Sequence, residues 1–77
     1  MNKVLLFAHL KEQAGKGKLE VNASGKTIGE LRRILERDHE LGNLEGIMIA
    51  LNEEFAKDDA LIQTGDEIAL IPPVSGG

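Results

Sequence analysis

The sequence predicts an α+β domain in which one amphipathic helix lies over one face of a mixed sheet. Three features carry this prediction. A helix-capping signature at Thr27 opens a segment with helical apolar spacing. Short strand-like apolar runs lie on both sides of that segment. The hydrophobic pattern is continuous over 77 residues, which makes it the core of one domain rather than two.

The elements follow in order. In "KVLLFAHL" (3–10), Val4, Leu6, Ala8 and Leu10 alternate with Leu5, Phe7 and His9, so both faces are largely apolar and the run reads as an interior strand covered on two sides. "KEQAGKGK" breaks the pattern with two glycines and reads as a loop, after which "LEVNA" resumes alternation through Leu19 and Val21. Thr27 and Glu30 form a capping box, the hydroxyl and the carboxylate each satisfying an N–H that a helix start leaves orphaned. Ile28, Leu31, Ile34 and Leu35 then mark the buried stripe, and Arg32, Arg33, Glu36 and Arg37 take the opposite side. "IMIALN" reads as a short buried strand, "NEEF" as a turn into another short segment, and "EIALI", led in by "TGD", as the last strand. The predicted order is strand, strand, helix, strand, short strand, strand. In a β-grasp arrangement the last strand lies parallel beside the first, and the chain end projects freely from it.

Composition narrows the classes of function. A domain this short buries only about 60% of its unfolded surface, which leaves little core to spare for an internal catalytic cleft. Nine Lys+Arg against thirteen Asp+Glu give a net charge of -4, which argues against nucleic acid and anionic membranes as partners. With no cysteine there is no disulfide framework, thiolate metal site or thiol nucleophile, in keeping with a cytoplasmic protein. No apolar run approaches the length of a membrane span.

Several residues imitate chemical motifs. "GKT" (25–27) stands between a strand and a helix, but a phosphate-binding loop needs a glycine where Glu20 stands, so the segment reads as a turn followed by a helix cap. His9 and His39 have no neighbouring second ligand, and no metal site is expected. Glu53-Glu54 and Asp58-Asp59 read as solvated turn acids, and Asp66 as a turn residue accepting local backbone N–H bonds.

Two apolar residues fit the core poorly. Alternation in "EIALI" puts Ile68 and Leu70 on one face and Glu67, Ala69 and Ile71 on the other; with the first set toward the helix, Ile71 faces solvent. Phe55 sits in a polar hairpin setting. The pair forms either a docking patch or a satellite core under the 56–66 loop.

The chain ends on "IPPVSGG". Pro72 and Pro73 remove two N–H donors and fix φ, so pairing stops and the backbone leaves extended. Residues 1–71 therefore read as the domain and 72–77 as an extended tail, whose reach of roughly 20 Å suffices to enter a pocket in another protein. Gly76 and Gly77 lack Cβ atoms and fit a narrow channel, delivering an α-carboxylate. That group, with a pKa of about 3.5, is an anion at neutral pH and needs activation by another enzyme before it accepts a nucleophile.

The ending "GDEIALIPPVSGG", the opening "KVLLFA" and the "LNEEF" turn together resemble the small, sulfur-carrier subunits of molybdopterin synthases, which are ubiquitin-like β-grasp proteins. The similarity spans essentially the whole chain, and its specific part is the final thirteen residues. It implies that Gly77 is adenylated by an E1-like adenylyltransferase using ATP, and is then converted by a sulfur donor to a thiocarboxylate. It further implies that Pro72, Pro73, Val74, Ser75 and Gly76 line the partner's channel and that Phe55 and Ile71 form the docking surface. The sulfur would pass, inside the large subunit of molybdopterin synthase, to cyclic pyranopterin monophosphate. The chain itself would bind no cofactor, and the catalytic acids and bases would belong to its partners. Other sulfur carriers, for thiazole or thiolated tRNA, and protein-conjugating modifiers share the grasp and the diglycine; a binding module with an idle terminus is the more distant alternative.

Overall fold

The computed structural model describes residues 1–38, 41, 44 and 46–72, and its element order is the predicted one with a helix added. The strands are β1 (Asn2–Leu6), β2 (Lys18–Val21), β3 (Met48–Leu51), β4 (Glu54–Phe55) and β5 (Glu67–Ile71); the helices are α1 (Ala8–Ala14) and α2 (Ile28–Asp38). The strands form one sheet in the order β2-β1-β5-β3-β4. β1 and β5 run parallel, Val4 opposite Ile68 and Leu6 opposite Leu70, and every other pairing is antiparallel. The last strand thus lies beside the first, and Pro72 leaves the sheet at the same end as the junction between β1 and α1.

The helical stripe forms as its spacing predicts. The backbone N–H of Thr27 donates to the Glu30 carboxylate at 3.0 Å, and the N–H of Glu30 donates to the Thr27 hydroxyl at 3.1 Å, so the box closes in both directions. Ile28, Leu31 and Leu35 are then buried against Val4, Leu6, Ile49, Ile68 and Leu70 of the sheet. Each such side chain contributes about 1.5–3 kcal/mol relative to exposure, which makes this one interface the main source of stability.

Three expectations need correction. The first concerns "AHLKEQA", where apolar alternation and the glycines predict the end of a strand and a loop. It is helix α1, begun where Ala8 turns the chain at φ 53 and ended by Gly15 at φ 75, whose N–H donates to the Lys11 carbonyl. Apolar alternation runs on past Leu6 and masks the start, yet Leu10 and Ala14 lie four apart, and Gly15 is a helix stop. The second concerns β1, which is covered on one face only: Val4 and Leu6 are buried, Lys3 is exposed and Leu5 is half-buried.

The third concerns Arg32 and Glu36, which helical spacing puts on the solvent side; Asp58 is exposed, as a solvated turn acid should be. The Arg32 guanidinium donates to the Leu44 and Ile47 carbonyls, both at 2.8 Å, and to Asp58 at 3.0 Å, while Glu36 accepts the Leu44 N–H at 2.6 Å. One turn apart on α2, the two charged side chains grip the backbone that leads into β3. The Asp58 backbone presses on the same helix, where its carbonyl takes the Gly29 N–H; a Cβ at residue 29 would meet Asp58 at 3.3 Å, so only glycine fits without a shift.

Where β1 and β5 begin, the side chain of Asn2, only 1% exposed, ties three segments together. Its amide donates to the carbonyls of Gln63 at 2.9 Å and Asp66 at 3.0 Å, and its oxygen accepts from the Ala23 N–H and the Ser24 hydroxyl, both at 3.2 Å. All the hydrogen-bonding capacity of this buried amide is met inside the protein.

Candidate functional site

Two-residue periodicity divides the sheet into the helix-covered face and an outer face that neither helix covers. Register arranges the outer face in rows across the strands. At the end where β1 and β5 begin, Glu20 lies opposite Lys3 and Lys3 opposite Glu67. In the next row Lys18, Leu5, Ala69, Ala50 and Phe55 succeed one another across all five strands. At the end where β5 finishes, Met48 lies opposite Ile71. Phe7, extended at φ -128 and ψ 158, carries the β1 alternation one residue further on the same side. The face therefore grows more apolar toward the point where the chain leaves the sheet.

Phe55 and Ile71 both lie on this outer face, on strands that flank β3. The turn between β3 and β4 explains the position of Phe55. Asn52 and Glu53 adopt φ of 52° and 70°, as a two-residue hairpin turn requires, and the reversal sets Phe55 opposite Ala50, with the residue 66% exposed. Ile71 is half-buried, and neither residue joins the core, so the satellite-core alternative does not hold for them. The pair has neighbours that sequence reasoning missed, Met48 at 49% and Phe7 at 47% exposure. Strict alternation in "IMIALN" would have placed Met48 on the outer face with Ala50, which is itself buried there; reading that run as uniformly buried hid Met48.

Polar order lies at the other end. The Asn52 amide donates to Asp66 at 2.9 Å, Asp66 accepts the Gln63 N–H at 2.8 Å, and Asn52 accepts the Glu67 N–H at 2.9 Å. The Asn52 side chain first, and then the Gln63 N–H, hold the Asp66 carboxyl below its ordinary range. Glu30 is lowered likewise by the backbone and then the hydroxyl of Thr27. These are structural bonds that prepare neither carboxylate as a base. Among the described residues no group of three or more His, Cys, Asp or Glu side chains is placed to hold a metal ion, and no helix is long and apolar enough to cross a membrane. "GKT" forms a turn and a cap, with the Gly25 N–H donating to the Ile62 carbonyl at 2.8 Å. His9 is exposed on α1, and His39 lies outside the described residues, as do Pro73, Val74, Ser75, Gly76 and Gly77 of the predicted channel segment. What the described residues show is an exposed apolar face at the root of the tail.

The chain resembles known proteins along nearly its whole length. A molybdopterin synthase sulfur carrier subunit from Arabidopsis thaliana is 40% identical, over 97% of this chain and 81% of the relative. Among solved structures, the complex of subunits 1 and 2 of molybdopterin-converting factor from Helicobacter pylori contains a chain with 31% identity and a TM-score of 0.72, the match covering 99% of this chain and 97% of that one. The small archaeal modifier protein 1 of Haloferax volcanii matches with a TM-score of 0.75 at 28% identity, over 95% and 97% of the two chains. These neighbours are ubiquitin-like β-grasp proteins, and the mixed five-stranded sheet with its two helices gives this chain the same fold class. The ThiS family model matches residues 4–77, through both glycines at the end of the sequence, and the chain belongs to that family.

Proposed function

We propose that this chain is a sulfur carrier of molybdenum cofactor biosynthesis, the small subunit of a molybdopterin synthase. The observation that carries the reading is the family match through Gly77, combined with an apolar face that converges on the root of the same tail. In this reading the Gly77 carboxylate attacks the α-phosphate of ATP held by an E1-like adenylyltransferase and releases pyrophosphate. Hydrosulfide supplied by a sulfur donor then attacks the acyl carbon, AMP departs as the C–O bond breaks, and loss of the S–H proton leaves a thiocarboxylate. Activation is needed because a carboxylate oxygen is a poor leaving group and AMP a good one. The chain, which contains no cysteine, carries sulfur only on its terminus, and it binds no cofactor of its own.

The docking face then seats the carrier on the large subunit. Phe55 and Ile71 act as apolar anchors, and residues 72–76 thread the channel that brings the sulfur to cyclic pyranopterin monophosphate. Small-residue links at Gly76 and Gly77 let the chain pass where a Cβ would not. The acids and bases of the reaction are supplied by the partners, and the work is cytoplasmic.

Likeness to a small archaeal modifier protein favours a second reading, in which the activated Gly77 is joined to protein amines instead. One experiment separates the two. The wild-type chain is incubated with its E1-like partner, ATP and a sulfur source, and intact mass is measured before and after addition of the large subunit and the pterin precursor. Replacement of one terminal oxygen by sulfur, followed by its loss as molybdopterin forms, is the expected result. Deleting Gly77 withdraws the reacting carbon by roughly 3.5 Å and should abolish both steps with the fold unchanged. Molybdopterin formation by the deleted chain would sink the carrier reading, and lysine-linked conjugates without thiocarboxylate would put the modifier in its place.

A further inference from the structure

We infer that Met48 is an oxidation-sensitive anchor of the docking face, so that peroxide acting on one thioether uncouples this chain from its partner. The inference rests on the docking reading above and goes beyond it in naming a modification site. The chain contains no cysteine and only two methionines, Met1 and Met48, so oxidative chemistry at sulfur has few targets. Met48 is the one that belongs to the outer face: it lies opposite Ile71, on the row where β5 finishes, and is 49% exposed. A partner that covers Ile71 and receives the tail issuing from it must also cover Met48, because directly opposed side chains on paired strands stand only about 5 Å apart.

The side chain suits such a contact. A thioether on an unbranched, flexible stem adapts to an irregular apolar surface, and its sulfur adds favourable polarisability. The same sulfur is accessible to peroxide in the free chain. Its lone pair takes one oxygen atom as the O–O bond breaks; the sulfur is oxidised by two electrons to the sulfoxide, and the peroxide is reduced to water. The product is a polar acceptor among Ile71, Ala50 and Phe55 that would have to be desolvated on docking. Reduction by a thiol-dependent methionine sulfoxide reductase would restore the thioether. Met1 provides an internal control, being 66% exposed but just ahead of Asn2, at the opposite end of the sheet.

The test uses the full chain and the large subunit. The chain is treated with hydrogen peroxide, oxidation at each methionine is quantified by peptide mass, and affinity for the large subunit is measured by calorimetry beside a urea denaturation curve. Wild type should lose affinity by roughly tenfold as Met48 sulfoxide accumulates, with its denaturation midpoint unchanged. Met48→Leu, which keeps the apolar volume but has no sulfur to oxidise, sets its own untreated baseline and should hold that affinity under peroxide although Met1 is oxidised. Full oxidation of Met48 with unchanged affinity would overturn the inference and leave the carrier reading intact. An equal loss of affinity in Met48→Leu would overturn it too, as would unfolding of the oxidised wild type. Failure of untreated wild type to bind the large subunit at all is a different result, which removes the carrier reading and this inference with it.

Discussion

Where β1 and β5 begin, a buried amide makes four hydrogen bonds, and Asn52, Gln63 and Asp66 close a second network beside it. Where the same two strands finish, Phe7 and Met48 expose half of their apolar surface around a half-buried Ile71. Both ends belong to one continuous sheet, so the contrast is one of chemistry rather than of order. Polar groups with every partner inside the chain have little to offer another molecule, whereas apolar side chains left in water gain free energy only when something covers them. The first end sets the geometry of the domain and the second leaves free energy for association.

The strongest test of this division is Asn2→Ala. It leaves the Asp66 carbonyl and the Ala23 N–H without their partner, while the Gln63 carbonyl keeps the Asp66 N–H, and at 1–3 kcal/mol for each buried orphan, partly relieved by water, the expected loss of stability is about 3 kcal/mol. Affinity of the molecules that remain folded for the large subunit should not change. A urea denaturation series gives the first quantity and titration calorimetry the second. An affinity loss in proportion to the stability loss would show that the two ends are coupled and the division false.

Phe55→Ala and Ile71→Ala form the converse pair. Each should weaken binding by about 2 kcal/mol as a buried anchor of the complex. Phe55→Ala should leave stability within about 0.5 kcal/mol of wild type, because an exposed side chain has little folded-state contact to lose. Ile71, half-buried, should cost somewhat more. If both variants lose stability and keep their affinity, the outer face is part of the core and Phe55 has been misread.

The helix-covered half of the molecule was legible in the sequence because each signal there was local. Thr27 and Glu30 are three residues apart, the α2 stripe is periodic, and Ile68 and Leu70 alternate cleanly. The outer face was only partly legible, since exposure on a sheet depends on which strands lie alongside and on what covers them. Alternation identified Ile71, and chemical incongruity identified Phe55. Met48 and Phe7 were hidden by apolar neighbours on both sides. The same ambiguity concealed α1, since an apolar alternation that continues past Leu6 does not announce that the backbone has turned at Ala8. Asn2, Arg32 and Glu36 were illegible for a third reason: most of their partners are backbone atoms in other segments, and backbone atoms leave no mark in a sequence.

Thr27→Ala sharpens the comparison at a smaller scale. Residue 27 pairs with Leu61, beside the loop that Asn2 holds, so the start of α2 extends the polar end of the molecule. Losing the cap should cost about 1 kcal/mol of stability with no change in docking. ATP affinity of the isolated chain should be unaffected, because "GKT" serves here as turn and cap. Saturable ATP binding that disappears on changing Lys26 would restore the phosphate-loop interpretation set aside above.

The smallest expected effect is a pH dependence confined to the same polar end. In the folded chain Asp66 is held below its ordinary value of 3.8, first by the Asn52 amide and then by the Gln63 N–H. A carboxyl whose folded pKa is depressed binds fewer protons when folded than when unfolded, so its contribution is complete above the unfolded value and is lost as pH falls through the folded one. Acidification should therefore lower the urea midpoint, and Asp66→Asn should flatten that dependence while already being less stable at neutral pH. Since the carboxylate is open to water, the slope should be shallow and should weaken with added salt. Glu30, lowered by Thr27, contributes a second slope of the same sign, so the double variant with Glu30→Gln should be flatter still. Among the described residues the apolar end carries no carboxyl lowered in this way, and the Phe55→Ala and Ile71→Ala curves should run parallel to wild type throughout the acid range. A changed slope in either variant would show that the outer face and the polar network titrate as one unit, and the contrast between the two ends would fail at its most sensitive point.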